Sequence, residues 1–395
     1  PQNGVSSLRD PFPIRANGTR YDVPTRDGLG PMARVGRGWT YTDFDTRRAR
    51  QQRWRAGLQR QLGSNMVIEV AYAGSYSDRV RLQQRIDYLP ERYFADGLVR
   101  NAANQSNLDS NVTNPFNIRN LESLRASHPL IYQDLTTQGF FTSATIRKNQ
   151  LLRPFPHMNG LNDRAVPIGE VRTHSIEVQF ERRFSRGYSF NAGYTGLRQR
   201  EADYFPNEYD RAPAYRESND TRPQRFIATS IYELPFGKGR AFARGGLPGA
   251  IAGGWQIAVT YEAQPGPLID WGNRFFYGNL DDINTGVRTL DRWFNTDGFE
   301  RNASRGPTGP HKRVFPTRIG DLRRDMTSQW NANIQRDFKF TEGLSLQLRL
   351  DALNLQNRSQ FNAPNADPFS TAFGRVESQT SATNRFIQIQ GRIRF

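Results

Sequence analysis

The sequence contains no cysteine and no long apolar run, and both absences narrow the classes of protein it can encode. Without cysteine there are no disulfides and no thiolate metal sites, which is neutral about the cellular compartment. No segment approaches the ~18 consecutive apolar residues of a membrane-spanning helix, and the mean hydropathy is −0.73. Helical spanning is therefore excluded. Strands that cross a bilayer need only about 9–11 residues, every second one apolar.

Signatures of an enzyme are also missing. The 4 histidines show no paired spacing of the H-E-x-x-H kind. Gly237-Lys238-Gly239 resembles a phosphate-binding loop only in part, because Tyr232 stands where that loop requires its first glycine. We therefore expect no catalytic residues, no metal and no cofactor.

Positive charge is in excess, with 54 Lys and Arg against 38 Asp and Glu and a formal net charge of +16. Because the charges are scattered and mostly arginine, the balance fits nucleic acid, anionic lipid headgroups or acidic ligands as partners. Only 36% of residues are apolar, yet Phe (26) and Tyr (15) are plentiful. Strands with aromatic ends and one polar face would produce this mixture.

Alternation of apolar and polar residues is the dominant pattern, and it is clearest at the carboxy-terminus. In the stretch 385–395, Ile387, Ile389, Ile393 and Phe395 share one side of a strand of period two. The same alternation predicts four upstream hairpins, made by 49–62 with 66–76, 169–184 with 188–198, 223–235 with 252–264, and 323–340 with 344–357.

Short turns within the hairpins alternate with long excursions between them. Loops of this length are uncommon in compact soluble domains, whereas outer-membrane barrels have short periplasmic turns and long extracellular loops. The sequence therefore predicts an all-β fold, the carboxy-terminal portion of an antiparallel transmembrane β-barrel with about 9–12 strands. The long excursions are 77–168, 199–222, 265–322 and 358–384. Within them we expect a short helix near 119–127 and strand extensions near 79–90 and 130–150.

Residues 1–48 are rich in Gly, Pro, Asp and Arg and lack periodicity, so we expect an extracellular loop or arm there and the barrel portion in 49–395. The hairpins and the last strand make an odd number of strands, whereas a barrel with a periplasmic amino-terminus needs an even number. We therefore expect upstream strands outside this chain, unless 1–48 contains a further strand.

Arginines stand on both faces of the predicted strands. Arg60, Arg182 and Arg336 each lie on the apolar face just before a short turn, where they either snorkel to headgroups or end a strand at a water boundary. The polar face is basic, which fits either an anionic cargo or an acidic neighbouring domain. Its arginines are Arg53, Arg55, Arg349, Arg392 and Arg394.

Several segments resemble one family of proteins. They are VIEVAYAGS (67–75), NQLLRPFP (149–156), RPQRFIATSIYELPFGKGR (222–240), GGWQIAV (253–259), LDALNLQNRSQFNAP (350–364) and FGRV (373–376). Together they resemble the carboxy-terminal barrel of TonB-dependent receptors, and most nearly the Oar-like group, which often carries an amino-terminal carboxypeptidase-regulatory-like domain. The resemblance implies an outer-membrane location, a barrel of about 22 strands, an amino-terminal plug, and energy from a TonB system that acts through the plug. On this resemblance, we expect the plug and the upstream strands to lie outside this chain.

The resemblance also implies capture of an unidentified ligand by extracellular loops, followed by energy-coupled import. The loop 265–322 is the candidate surface, with Trp271, Arg274, Phe275, Phe276, Tyr277 and Trp293 as candidate ligand-binding residues. The same aromatics equally fit a small core that lets a long loop fold. In related proteins, the end of the last strand is read by the barrel-assembly machinery, and Ile389, Gly391, Ile393 and Phe395 match that signal.

Two other functions remain open at this level. The first is an outer-membrane barrel that serves adhesion or assembly without transport. The second is a soluble, basic β protein that binds nucleic acid. In the preferred interpretation the partners are outer-membrane lipid, the barrel-assembly machinery, the TonB system and the ligand, and no nucleic acid is expected.

Overall fold

A computed structural model describes residues 34–43, 46–380 and 384–395. Most of the predicted arm 1–48 therefore lies outside the described residues. The chain divides into two units. The smaller unit contains the described residues up to Tyr41 together with Arg85–Leu89 and Ser106–Asn162, and the larger unit contains Thr42–Gln84, Pro90–Gln105 and Asp163–Phe395.

Strands dominate the described residues, and helices are short. The strands are β1 (Trp39–Tyr41), β2 (Arg50–Leu62), β3 (Met66–Arg85), β4 (Asn111–Thr113), β5 (Thr145–Arg147), β6 (Leu161–Ser185), β7 (Tyr188–Tyr204), β8 (Ala214–Glu217), β9 (Gln224–Glu233), β10 (Gln256–Gln264), β11 (Thr327–Lys339), β12 (Ser345–Leu353) and β13 (Phe386–Arg394). The helices are α1 (Ala102–Asp109), α2 (Ser123–Ser127), α3 (Pro129–Thr136), α4 (Gly139–Thr142), α5 (Lys148–Leu151) and α6 (Gly246–Ala252). No helix in the described part of the chain is long and apolar enough to cross a membrane.

The larger unit is built on one sheet with the strand order β13-β12-β11-β10-β9-β7-β6-β3-β2. The hairpin pairs β2–β3, β6–β7, β9–β10 and β11–β12 are antiparallel, as are β7–β9, β10–β11 and β12–β13. The path contains the four predicted hairpins and the predicted last strand, so these predictions are confirmed. Its edges are β2 and β13, and the strands of the described residues do not close into a barrel.

The register gives the sheet one apolar and one polar face. Ile257 of β10 lies opposite both Tyr232 of β9 and Ile334 of β11, and Leu350 of β12 lies opposite Ile389 of β13. These residues share a face because directly paired residues point the same way from a pleated sheet. The residues between them are mostly polar or small. The polar face includes Gln59, Gln179, Asn191, Thr229, Thr260, Asn333, Gln347 and Gln390.

Short and long connections alternate at the two ends of these strands. The turns after β2, β6 and β11 are short, while the connections after β3, β7, β10 and β12 are long, as predicted. The connection from β9 to β10 also contains α6, which the glycine-rich sequence did not indicate. The extension of β3 to Arg85 and the helix α2 confirm two predictions about the loops. The predicted strand extension near 130–150 is wrong for most of that segment, which α3, α4 and α5 occupy; its strand residues are those of the short β5, which pairs with β4.

The smaller unit has its own compact core. Ile131, Leu135 and Phe141 are buried, and partly buried apolar residues from 116–124 pack around them. Buried apolar residues four apart on α3 favour helix over strand, because that spacing places both side chains on one helical face. Gly36 has φ +77° and lies against this core: a Cβ there would be 2.2 Å from the ring of Phe141. Only glycine fits this position without displacement.

Candidate functional site

The long connections after β10 and β12 share an aromatic core, here called the loop core. Trp271 is 4% exposed, and its ring centroid lies 5.0 Å from that of Phe294 and 5.6 Å from that of Phe299. Aromatic packing of this kind contributes beyond the area it buries. The two long connections are thereby held in one arrangement. The other buried members of the loop core are Ile269, Ile283, Trp293, Phe315, Leu322, Phe373 and Val376.

Most of the aromatics proposed to bind a ligand lie in or against this core. Trp271 and Trp293 belong to it, and Phe276 packs on its edge. Phe275 is 1% exposed and its ring lies 4.9 Å from that of His311. These four aromatics therefore hold the loops together, which is the role that was expected for them if they do not bind a ligand. Contact with a ligand stays a prediction.

Arg274 and Tyr277 carry polar groups, and Tyr277 is the one exposed residue of the six candidates. The Arg274 guanidinium lies 3.4 Å from the Asp367 carboxylate and 5.6 Å from the ring centroid of Phe369. Tyr277 is 55% exposed and its hydroxyl donates to Glu300 across 3.2 Å. A ligand that approaches the folded loops meets these polar groups before it meets the buried rings.

Beside the loop core lies a cavity of about 630 Å³ lined by four arginines, here called the arginine cleft. Its volume falls within the ~300–1,000 Å³ usual for small-molecule sites. The arginines are Arg288, Arg323, Arg324 and Arg358. The remaining lining residues are Pro265, Gly266, Thr289, Leu290, Trp293, Asp321, Asp325, Met326 and Phe361.

The loop core positions two of these arginines. The Arg323 carbonyl accepts hydrogen bonds from Trp293 Nε1 (2.8 Å) and from Arg288 Nη1 (3.2 Å). Arg288 also donates to the Asp321 carbonyl across 3.0 Å, and its guanidinium lies 5.9 Å from the Trp293 ring. Because Trp293 is fixed in the core, the Arg323 backbone and the Arg288 side chain are held in place before any ligand arrives.

The cleft holds more positive than negative charge. Arg358 pairs with Asp325 at 2.7 Å, and the nearest carboxylate to Arg323 is Glu217 at 3.7 Å. Among the described residues, Arg288 and Arg324 have no carboxylate at ion-pair distance, and Arg324 Nε is buried without a hydrogen-bond partner. Burial lowers the pKa of the Arg288 and Arg323 guanidinium groups below their ordinary value, because it removes water from their charged forms. A bound anion would supply the missing compensation.

Sequence reasoning missed the arginine cleft. Its arginines come from the β10–β11 and β12–β13 connections, and no spacing rule connects Arg288 with Arg358. The adjacent pair Arg323-Arg324 was the only local signal, and it is weak in a chain with 54 Lys and Arg. Among the described residues, no group of three or more acidic or histidine side chains is arranged to hold a metal ion.

A family model for the outer membrane beta barrel domain matches residues 1–388. The chain belongs to this family. Among solved structures, it is similar to the outer membrane transporter YddB from Escherichia coli, with 12% identity and a TM-score of 0.40 over 90% of this chain and 34% of that one. It is also similar to the pyoverdine receptor FpvA from Pseudomonas aeruginosa PAO1, with 11% identity and a TM-score of 0.35 over 88% of this chain and 30% of that one. This chain thus spans about a third of their length. No curated protein matches its sequence.

Family membership locates the barrel in the outer membrane and decides against a soluble nucleic-acid-binding protein. In such a barrel the apolar face meets lipid and the polar face meets the lumen. The lumenal arginines are partly compensated: Arg55 lies 2.7 Å from Glu69 and 3.4 Å from Glu177, and Arg349 lies 2.7 Å from Asp351. The lumenal side of these strands therefore carries less net charge than its arginine count suggests.

The residues matched to an assembly signal lie on β13, at one edge of the sheet. Ile389, Gly391 and Ile393 are on the lipid-facing side, opposite Leu350, Leu348 and Leu346 of β12. Phe395 follows the strand and is fully exposed. Recognition of these residues by the barrel-assembly machinery stays a prediction.

Proposed function

We propose that this barrel captures an anionic ligand at its long loops as part of a TonB-dependent, energy-coupled importer. The arginine cleft is the observation that carries the proposal. It is a preformed cavity of small-molecule size among the long connections, which lie on the extracellular side in outer-membrane barrels. Preformed polar groups in such a cavity bind a ligand at a lower entropic cost than mobile ones.

The charge of the cleft supports an anionic ligand over a neutral one. Arg288 and Arg324 donate only to backbone carbonyls or lack a partner, and guanidinium groups match carboxylate and phosphate oxygens in pairs. Trp293 and Phe361 give the same cavity an apolar side. The ligand class that fits is a small carboxylate or phosphate compound with an apolar or aromatic portion.

The nine-strand path is proposed to be the carboxy-terminal portion of a larger, Oar-like barrel that also has a plug. Unpaired strand edges are not stable in lipid, so β2 and β13 need further strands as neighbours. In this proposal 49–395 forms the barrel portion, 1–48 forms an extracellular arm, and the TonB system acts on the barrel through the plug.

The proposal can be tested without knowing the ligand, by measuring which compounds cells remove from their growth medium. Cells that carry the full-length gene, a deletion, or the R288Q/R324Q double variant are grown on complex medium, with and without a protonophore. Mass spectrometry of the spent medium should show anionic compounds removed only by energised cells with the native protein. The D297N variant, which changes an exposed loop carboxylate at another site, is the control and should behave as the native protein does.

The alternative of adhesion without transport predicts a different result. Deletion would then reduce attachment of cells to surfaces and leave the composition of the spent medium unchanged. Depletion that survives in R288Q/R324Q would instead support import but reject the arginine cleft as the binding site.

A further inference from the structure

A second basic cavity lies on the lipid-facing side of the sheet and shares no lining residue with the arginine cleft. It has a volume of about 280 Å³ and is here called the basic cavity. Every residue that lines it carries a basic or phenolic side chain. They are Arg172, His174, Arg198, Arg200 and Tyr215.

The register places this cavity just beyond the apolar band. His174 of β6 lies opposite Arg198 of β7, and Arg172 lies opposite Arg200. Arg172 and His174 precede Ile176 by four and two positions on β6. Because side chains alternate along a strand, all three point to the lipid-facing side. Arg172 and His174 lie on the half of β6 that is nearer to the long connection or near the midpoint of the strand, while Arg182 lies near the short turn. The side of the long connection is the extracellular side.

The usual height of the apolar band agrees with this position of the basic cavity. Arg182 follows Arg172 by ten positions on β6 and lies beside the short periplasmic turn. At ~3.3 Å per residue and a tilt of about 40°, the two arginines are about 25 Å apart along the membrane normal. That is the usual height of the apolar band in outer-membrane barrels. Arg172 and its neighbours thus lie at the level of the extracellular headgroups.

Aromatic side chains hold part of the cavity wall in place. The Arg172 guanidinium lies 5.4 Å from the ring centroid of Tyr76 and 5.2 Å from that of Tyr215. The Tyr72 hydroxyl is 2.7 Å from His174 Nδ1. Tyrosines at this level form the aromatic girdle typical of a membrane interface, and here they also orient basic side chains.

Positive charge in the cavity is only partly compensated. Glu170 lies 3.0 Å from Arg172 and also accepts a hydrogen bond from Tyr215. Across the residues that the structure describes, neither Arg198 nor Arg200 forms an ion pair with a carboxylate. Two guanidinium groups are therefore available on a surface that continues directly into the lipid-facing band.

We propose that the basic cavity binds the phosphate group of an outer-leaflet lipid, whose acyl chains lie along the adjacent apolar face. Paired guanidinium groups suit phosphate oxygens, and the apolar strands below the cavity suit the attached chains. A free phosphate ion would gain nothing from that apolar face. The lipid is therefore the favoured source of the phosphate, and the site is independent of ligand import.

Binding of defined lipids to the full-length protein in detergent tests this proposal. The probes are a diphosphorylated glycolipid, the same glycolipid after removal of its phosphates, and inorganic phosphate, with affinity measured by native mass spectrometry. We expect the diphosphorylated lipid to bind best, and R198Q/R200Q to bind it about tenfold more weakly or worse. The matched control R60Q/R182Q removes two arginines from the same face at the periplasmic rim and should keep native affinity.

Three results would overturn the proposal: native affinity in R198Q/R200Q, equal binding of the dephosphorylated lipid, or equally tight binding of inorganic phosphate alone. If the glutamine variant does not fold, R198K/R200K keeps the charge but loses the paired donors. Its affinity for the diphosphorylated lipid should then lie measurably below that of the native protein.

Discussion

Arg318, in the connection after β10, forms a 2.9 Å ion pair with Glu201 of β7, and both side chains are nearly buried. Arg318 also lies 2.7 Å from Asp270 and donates to the Glu217 carbonyl across 2.6 Å. Partners on the loop and on the sheet thus share one guanidinium. This contact attaches the loop core to the polar face of the sheet and so fixes where the arginine cleft lies relative to the strands.

Replacement of Glu201 by alanine should therefore loosen the loop core. Removal of one member of a buried pair costs about 3–5 kcal/mol, and we expect the lower end because Asp270 still contacts Arg318. Limited proteolysis within 265–322 and thermal unfolding in detergent measure the effect. The control is D297A, which breaks the exposed pair with Arg292 and should change stability by less than about 1 kcal/mol. Equal proteolysis of E201A and D297A would contradict the anchoring role.

Alanine substitutions at Trp271 and Tyr277 distinguish an aromatic side chain that stabilises the loop core from one that lies on its surface. W271A removes a ring at the centre of the loop core and should destabilise it by about 3–5 kcal/mol. Y277A removes an exposed ring and should leave unfolding unchanged within about 0.5 kcal/mol. Hydrogen exchange of the two long connections is the measurement. Protection that persists in W271A would show that the loops fold without this ring.

Val178 and Gln179 test which side of the sheet meets lipid. Val178 lies midway along β6 between His174 and Arg182, on the apolar face, while Gln179 points to the opposite face. An arginine at mid-bilayer depth costs about 2–4 kcal/mol, so V178R should reduce the yield of folded barrel in outer membranes. Q179R faces the lumen and should fold normally. Equal yields, read as heat-modifiable protein on gels, would contradict the face assignment.

Asp96 links the stability of the connection after β3 to pH. Its carboxylate accepts a hydrogen bond from the Gly97 N–H (2.7 Å) and lies 3.2 Å from Lys312 Nζ. These contacts, the backbone hydrogen bond first, hold the pKa of Asp96 below its ordinary value. A carboxyl group whose pKa is lower in the folded state stabilises the fold at pH values above its unfolded pKa of ~3.9. This contribution to stability is lost as the pH falls through the folded pKa.

We therefore expect D96N to unfold at a lower temperature than the native protein at pH 6. The difference should shrink progressively below about pH 4, because the native carboxylate is then protonated. Thermal unfolding across a pH series measures it. A difference that stays constant down to pH 2 would show that the charge of Asp96 contributes nothing.

Strand positions could be predicted from the sequence because the lipid-facing side has a simple chemical requirement. Ile387, Ile389 and Ile393 recur at period two, and the same period predicts the hairpin at 66–76 and its partner. Boundaries were less accurate: β3 continues to Arg85 and β6 begins at Leu161, because strands beyond the bilayer no longer need alternate apolar residues. The strand extension predicted where α3 and α4 lie is wrong for a related reason, since short apolar runs do not distinguish strand from helix.

The sequence by itself determined the class of the protein: alternating strands, short and long connections in turn, and an apolar face that only lipid can cover. Tertiary structure alone decided what the long loops do. It placed Trp271 and Trp293 in a loop core and brought Arg288, Arg324 and Arg358 into one cleft. The physical reason is the separation of the interacting residues along the chain, since strand alternation depends on residues only two positions apart. The arginine cleft and the buried ion pair depend instead on packing between residues far apart in the chain. Arg288 and Arg358 are 70 positions apart, and Arg318 and Glu201 are 117 positions apart.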